Sequence, residues 1–165
     1  MLEKLFGQFP GVIQMLRDEH RLIRSHFAKY QKAEGHQKTA LAKTVLQVLA
    51  AHAKLEDQVI YPAFHTAFKD KHIIDEAVEE HHLLHILLRE LKALKPEQSS
   101  FEAKFTVLRE LVTHHVDEEE SQMFPKADAQ DIEWTALEKK AKALKKRLAT
   151  QGTARKRGAP RAQAA

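Results

Sequence analysis

Two short stretches of this 165-residue chain share one pattern. His52 is followed by Glu56 four residues on and by Tyr61-Pro62, and His115 is followed by Glu119 and by Phe124-Pro125. Four residues is about one helical turn, so each His and Glu project together from one face as a two-toothed chelate. Imidazole with carboxylate suits Fe, Zn or Mn better than Ca, which takes all-oxygen sites. Two such pairs on two helices can serve one shared site. The chain must therefore fold so that two distant helices face each other.

The apolar pattern supplies the helices. Over 12–32, Ile13, Leu16, His20, Ile23, Phe27 and Tyr30 recur at three- and four-residue steps, the stripe of an amphipathic helix. A second helix is predicted over 38–61, with Val45, Leu49, His52, Glu56 and Val59 on its stripe. A third spans 72–94, with Ile74, Val78, His81, His85, Leu88 and Leu91. A fourth spans 100–124, with Phe101, Phe105, Leu108, Val112, His115 and Glu119. Pro62 is expected to end or kink the second helix, with a stretch through Lys71 that is irregular or partly helical, and Pro125 to stop the fourth. Ser99 with Glu102 reads as a capping box. Residues 131–150 give a shorter fifth helix with Ile132, Trp134, Leu137, Leu144 and Leu148 inward. Gln151 to Ala165 has no apolar pattern and is expected to be a disordered basic tail.

The expected fold is all-α: an up-down-up-down four-helix bundle with an extra C-terminal helix, one domain over 1–150, and the tail over 151–165. An internal repeat agrees. His52 and His115 are 63 residues apart, His20 and His81 are 61 apart, and Asp18-Glu19-His20 matches Glu79-Glu80-His81. The plan is two similar helical hairpins.

Composition removes other chemistries. With no Cys, disulfides, thiolate zinc sites, iron–sulfur clusters and a Cys nucleophile are excluded. No apolar run suggests a membrane span and the N-terminus lacks the order of a signal peptide, so a cytoplasmic protein is expected. The net charge of +4 conceals an asymmetry. From Lys139 onward there are ten Lys or Arg and no acid, leaving 17 basic against 23 acidic residues over 1–138, a balance of −6.

His20, His52, His81 and His115 are separated by 32, 29 and 34 residues. In a bundle of helices of roughly 20–25 residues joined by short loops, an interval of about 30 returns the chain to the same height. All four His are thus expected at one level of the interior, with Glu56, Glu119 and His85 a turn from their partners. Five His and two Glu exceed one tetrahedral zinc and suit two metal ions sharing carboxylates. A lone His on an apolar stripe is usually a satisfied core or boundary residue; four stripes each with a central His, two with a Glu one turn on, go beyond that. His85 has the spacing of a ligand and equally that of a hydrogen-bonding residue at the stripe's edge. His26, His36, His65, His72, His82 and His114 fall off the stripes, where a solvated face is expected. Tyr61 is expected to pack, or to line the mouth of the pocket, and Phe124 to pack.

This arrangement resembles the hemerythrin family, in particular its HHE cation-binding branch, over about residues 10–125. The resemblance implies a non-haem di-iron centre of two Fe ions bridged by both carboxylates and an oxo or hydroxo group. It implies His20, His52, Glu56, His81, His115 and Glu119 at the ligand positions, and His85 at the second His of the His-x-x-x-His pair of oxygen-carrying members. Those carriers end their second chelate with Asp at a longer spacing, where this chain has Glu119. A ferritin-like site needs paired Glu-x-x-His motifs, and here only Glu79 with His82 has that spacing.

The leading expectation for function is a protein that binds or senses O2, NO or peroxide, or handles iron. The alternatives are an enzyme that degrades hydrogen peroxide or reduces NO, and nucleic-acid contact through the basic tail.

Overall fold

The computed structural model describes residues 9–157, with side chains through Gln151. Every regular element is helical: α1 (Gly11–Lys32), α2 (Gly35–Leu55), a π-helical segment (Glu56–Ile60), α3 (Tyr61–Ala67), α4 (His72–Ala93), α5 (Ser99–Glu118), a second π-helical segment (Glu119–Met123), α6 (Phe124–Asp128) and α7 (Trp134–Arg157). The α1–α2 connection is only Ala33-Glu34, and Gly35 opens α2 at φ +51°, a conformation that glycine adopts without a Cβ clash. Such short connections force antiparallel neighbours. The hairpins α1–α2 and α4–α5 face each other around one interior.

The two prolines do not break the helices as the sequence reading expects. In an α-helix Pro62 would strike the carbonyl four residues back and leave that carbonyl without a donor. Here the turn before it widens instead, and the Tyr61 N–H donates to the Glu56 carbonyl five residues back. Phe124 does the same with Glu119 ahead of Pro125. With the ladder shifted by one residue, the chain continues helically through Ala67 and Asp128. Single π turns of this kind occur often at functional sites. Both here begin at the Glu of a chelate.

The interior is layered. One apolar cluster gathers Leu16, Leu55, Phe64, Ala77, Met123 and Phe124. The other gathers Ile23, Leu49, Leu84, Phe105, Val112 and Val116. On each bundle helix the stripe His falls between residues of the two clusters, as His20 does between Leu16 and Ile23. The buried polar residues are His20, His52, Glu56, His81, His115 and Glu119. They form a polar layer sealed above and below by hydrocarbon.

The extra helix α7 lays Leu137, Ala141 and Leu144 on the bundle, and Trp134 meets Phe64 edge-on at 6.2 Å. Each buried Leu contributes about 1.5–3 kcal/mol. α7 runs past Gln151, where a tail is expected, to Arg157, as its Ala-, Lys- and Arg-rich sequence favours. The rest of that expected tail, 158–165, lies outside the described residues.

Candidate metal centre

Helical periodicity aims the six buried polar side chains inward, and the π turns finish the placement. The Nε2 atoms of His20 and His52 lie 3.1 Å apart, as do those of His81 and His115. Glu56 sits between the pairs. Its Oε1 is 3.1 Å from His52 Nε2 and 3.8 Å from His20 Nε2, while its Oε2 is 3.4 Å from His81 Nε2. Glu119 Oε2 is 3.2 Å from His20 Nε2 and 3.7 Å from His115 Nε2. Two donor sets result, His20, His52, Glu56 and Glu119 on one side and Glu56, His81 and His115 on the other. They share Glu56.

Every one of the four imidazoles is oriented from behind. His20 Nδ1 donates to Glu120 at 2.9 Å, His52 Nδ1 to Glu19 at 2.7 Å, His81 Nδ1 to Asp57 at 2.7 Å and His115 Nδ1 to Glu80 at 2.6 Å. A carboxylate on Nδ1 fixes the ring and turns the Nε2 lone pair toward the centre, the support that metal-bound histidines commonly receive. The sequence reading does not single out these four acids. The signal was available: Glu19 and Glu80 each precede a stripe His, and Asp57 and Glu120 each follow a chelating Glu. Behind them, Lys145 of α7 bonds Glu19, and Arg17 Nε lies 3.6 Å from Glu120. The added helix thus reaches the metal layer.

Tyr61 goes beyond packing. In an ordinary α-helix it would point well away from Glu56; the π turn swings it onto the same face. Its hydroxyl donates to Glu119 Oε1 at 2.8 Å and lies 3.1 Å from the Nε2 atoms of both His81 and His115. Burial first, then the charges of Glu119 and Glu56, push the phenol well above its ordinary range, so it keeps its proton. The equivalent Phe124 stacks on His20 at 5.8 Å. The two halves are therefore alike in plan and different in chemistry.

His85 stands apart from the other six. Its side chain is 48% exposed and its Nε2 bonds Asp57 Oδ2 at 2.7 Å, while its ring meets that of His81 edge-on at 6.2 Å. His36, His65, His72, His82 and His114 are exposed and His26 is half-buried. Glu79 and His82 are both exposed, which leaves the ferritin-like pairing outside the interior.

The donor set fits a cation. Glu56 Oε1 and Oε2 and Glu119 Oε2 are buried without a hydrogen-bond partner, an arrangement that is expensive unless charge compensates it. In the metal-free protein protons on the imidazoles do so. Burial opposes the charge of His20, yet the nearby carboxylates of Glu119, Glu120 and Glu56 outweigh it and push its pKa up to about 11. Burial likewise opposes His52, which the Glu56 charge and Glu19 carry to about 9, and His81, which Asp57 and Glu56 carry to about 10. Metal ions would replace those protons.

Known proteins agree with this geometry. The hemerythrin HHE cation binding domain matches residues 11–127. The chain belongs to the hemerythrin family. A curated protein of Nostoc sp. named DNA nickase is 27% identical over 153 residues, covering 88% of this chain and 43% of its own length. An uncharacterized hemerythrin-like protein of Schizosaccharomyces pombe is 27% identical over 110 residues, covering 65% of this chain and 54% of its own. The hemerythrin chain thus spans about half the length of these relatives. A crystal structure of a hemerythrin HHE cation binding domain-containing protein from Mycobacterium kansasii superposes with a TM-score of 0.72 at 24% identity, covering 90% of this chain and 93% of the other. It shares the hemerythrin fold. Among the described residues no helix is long and apolar enough to cross a membrane.

Proposed function

We propose that the buried layer is a non-haem di-iron centre that binds or senses O2, NO or peroxide. The supporting observation is two buried carboxylates among two imidazole pairs, Glu56 common to both donor sets, with three of their oxygens lacking a hydrogen-bond partner. His20 and His52 would hold one ion, His81 and His115 the other, and Glu56 and Glu119 both. Four imidazoles and two carboxylates would leave room on a pair of ions for an exogenous ligand. When bound, a pair of irons supplies two electrons to such a ligand. The protein excludes bulk water with the two apolar clusters, orients each imidazole, and holds a proton at the Tyr61 hydroxyl. Metal analysis and spectra of iron-supplied protein test the proposal. About two irons per chain with a near-ultraviolet band that bleaches on reduction support it, and zinc alone sinks it.

Tyr61 favours a second reading. Its hydroxyl is a proton donor beside the expected ligands. Degrading peroxide or reducing NO consumes protons that reversible binding does not need. Turnover of hydrogen peroxide, or loss of NO with a reductant, that falls in Tyr61→Phe while metal content holds would establish this enzymatic role; equal rates in both proteins would dismiss it.

A separate surface supports nucleic-acid contact, placed on α7 itself rather than on the tail alone. Lys139, Lys140, Lys146 and Arg147 are exposed and have no ion-pair partner among the described residues. The apolar side of α7 is already occupied by the bundle, which disfavours an anionic membrane, where such a helix must bury hydrocarbon. Four phosphate contacts give a slope of log K against log salt of about −3.6. Binding that survives reversal of these four charges would discard the proposal.

A further inference from the structure

A groove of about 640 Å³ lies between α3 and α4. Ile74, Val78, Pro62 and the Tyr61 ring give it apolar walls, and His65 and His82 stand on its rim. Its floor is shared with the metal layer, because Tyr61 and His81 line it as well. Both are nearly closed, at 3% and 2% exposure. A molecule in the groove therefore cannot touch the donor atoms on the far side of those rings. It can lie against the ring of His81, whose Nε2 faces the centre.

The volume falls within the roughly 300–1,000 Å³ typical of small-organic-molecule sites and is far more than a diatomic or a peroxide requires. Beside the Asp57 carboxylate the lining is largely flat rings, with Val78 45% exposed, which suits a planar aromatic body with a hydroxyl edge. Separation by a single imidazole suits exchange of electrons and not of atoms.

We propose that this groove binds a planar aromatic two-electron carrier of the quinol class and that electrons pass to the metal pair through the His81 ring. The proposal rests on the di-iron reading above. The balance closes on two irons: one quinol loses two electrons and two protons to become quinone, two ferric ions become ferrous, and both protons leave to solvent through the open groove.

The test uses the full chain and 2-methyl-1,4-naphthoquinone. Metal-free protein titrated with the quinone is expected to show saturable single-site binding. Val78→Trp fills the groove from a half-exposed position and is expected to weaken binding by at least about tenfold, equivalent to roughly 1.4 kcal/mol. Leu83→Trp, on an exposed α4 position outside the groove, is expected to change nothing. In iron-loaded, oxidised protein mixed anaerobically with the quinol, one quinone per two irons should form. Val78→Trp should slow that reduction about tenfold and leave reduction by dithionite unchanged. Absence of saturable binding, or equal affinity in the wild type and both variants, overturns the site. Binding without quinol reduction overturns the electron transfer. Should the protein take up no iron, the di-iron reading fails while the metal-free titration still decides the groove.

Discussion

Loading the centre at fixed pH should expel protons, and the number follows from the site. His20, His52 and His81 titrate at about 11, 9 and 10 in the metal-free protein. At pH 8 all three therefore carry an extra proton. A metal bound at Nε2 needs neutral imidazole, with the remaining proton on Nδ1 facing Glu120, Glu19 or Asp57. Saturation at pH 8 should then release about three protons per chain, and log K for the metal should rise by about three per pH unit near that pH. Calorimetry in two buffers of different ionisation enthalpy, or indicator dye in unbuffered solution, counts the protons directly. The same shifts set a stability profile for the metal-free protein. Folded values above the unfolded 6.5 mean that the stabilisation is complete below pH 6.5 and is lost as pH climbs through 9 to 11. At the acid end Glu56, which burial raises but His52, His20 and His81 draw well below 4.5, withdraws its share as pH falls. Release of fewer than one proton, with flat melting temperatures from pH 6.5 to 10, would refute the compensation of buried carboxylates by imidazolium.

Glu80→Gln keeps the shape behind His115 and removes the charge on its Nδ1; metal affinity should fall roughly 10- to 100-fold by competition with a chelator, and an unchanged affinity would mean that the 2.6 Å bond is incidental. Tyr61→Phe should destabilise the metal-free protein by about 1–3 kcal/mol in urea, because Glu119 Oε1 loses its buried donor; a neutral result would remove the hydroxyl from the network. His85→Ala should leave metal stoichiometry as it is, whereas His81→Ala should lower it; equal losses would return His85 to the ligand set.

Near-equal spacing of four stripe histidines places them in one layer, and the structure does gather them there with Glu56 and Glu119. What local periodicity could not resolve begins at the prolines. Pro125 reads as a helix stop and Pro62 as a stop or a kink, yet a π turn lets each helix continue. That one-residue slip decides where Tyr61 points, so its role was invisible to a count at 3.6 residues per turn. His85, whose spacing allows either a ligand or a hydrogen-bonding residue at the stripe's edge, makes the hydrogen bond. It keeps the i, i+4 step from His81, but two residues one turn apart can still diverge when the stripe is narrow, and Asp57 captures it at the surface.

The helical plan of the described residues, the doubled hairpin and the residue types that meet in the interior are legible in the chain before it folds. These are written in short-range periodicity and in a repeat of about 62 residues, both local properties of the chain. Tertiary structure alone decided which carboxylate backs which imidazole, that α7 reaches Glu19 through Lys145, and that Tyr61 and Phe124 make the two halves unequal. Those pairings join residues 24 to 126 positions apart, and only the packing of whole helices brings such atoms within hydrogen-bonding distance.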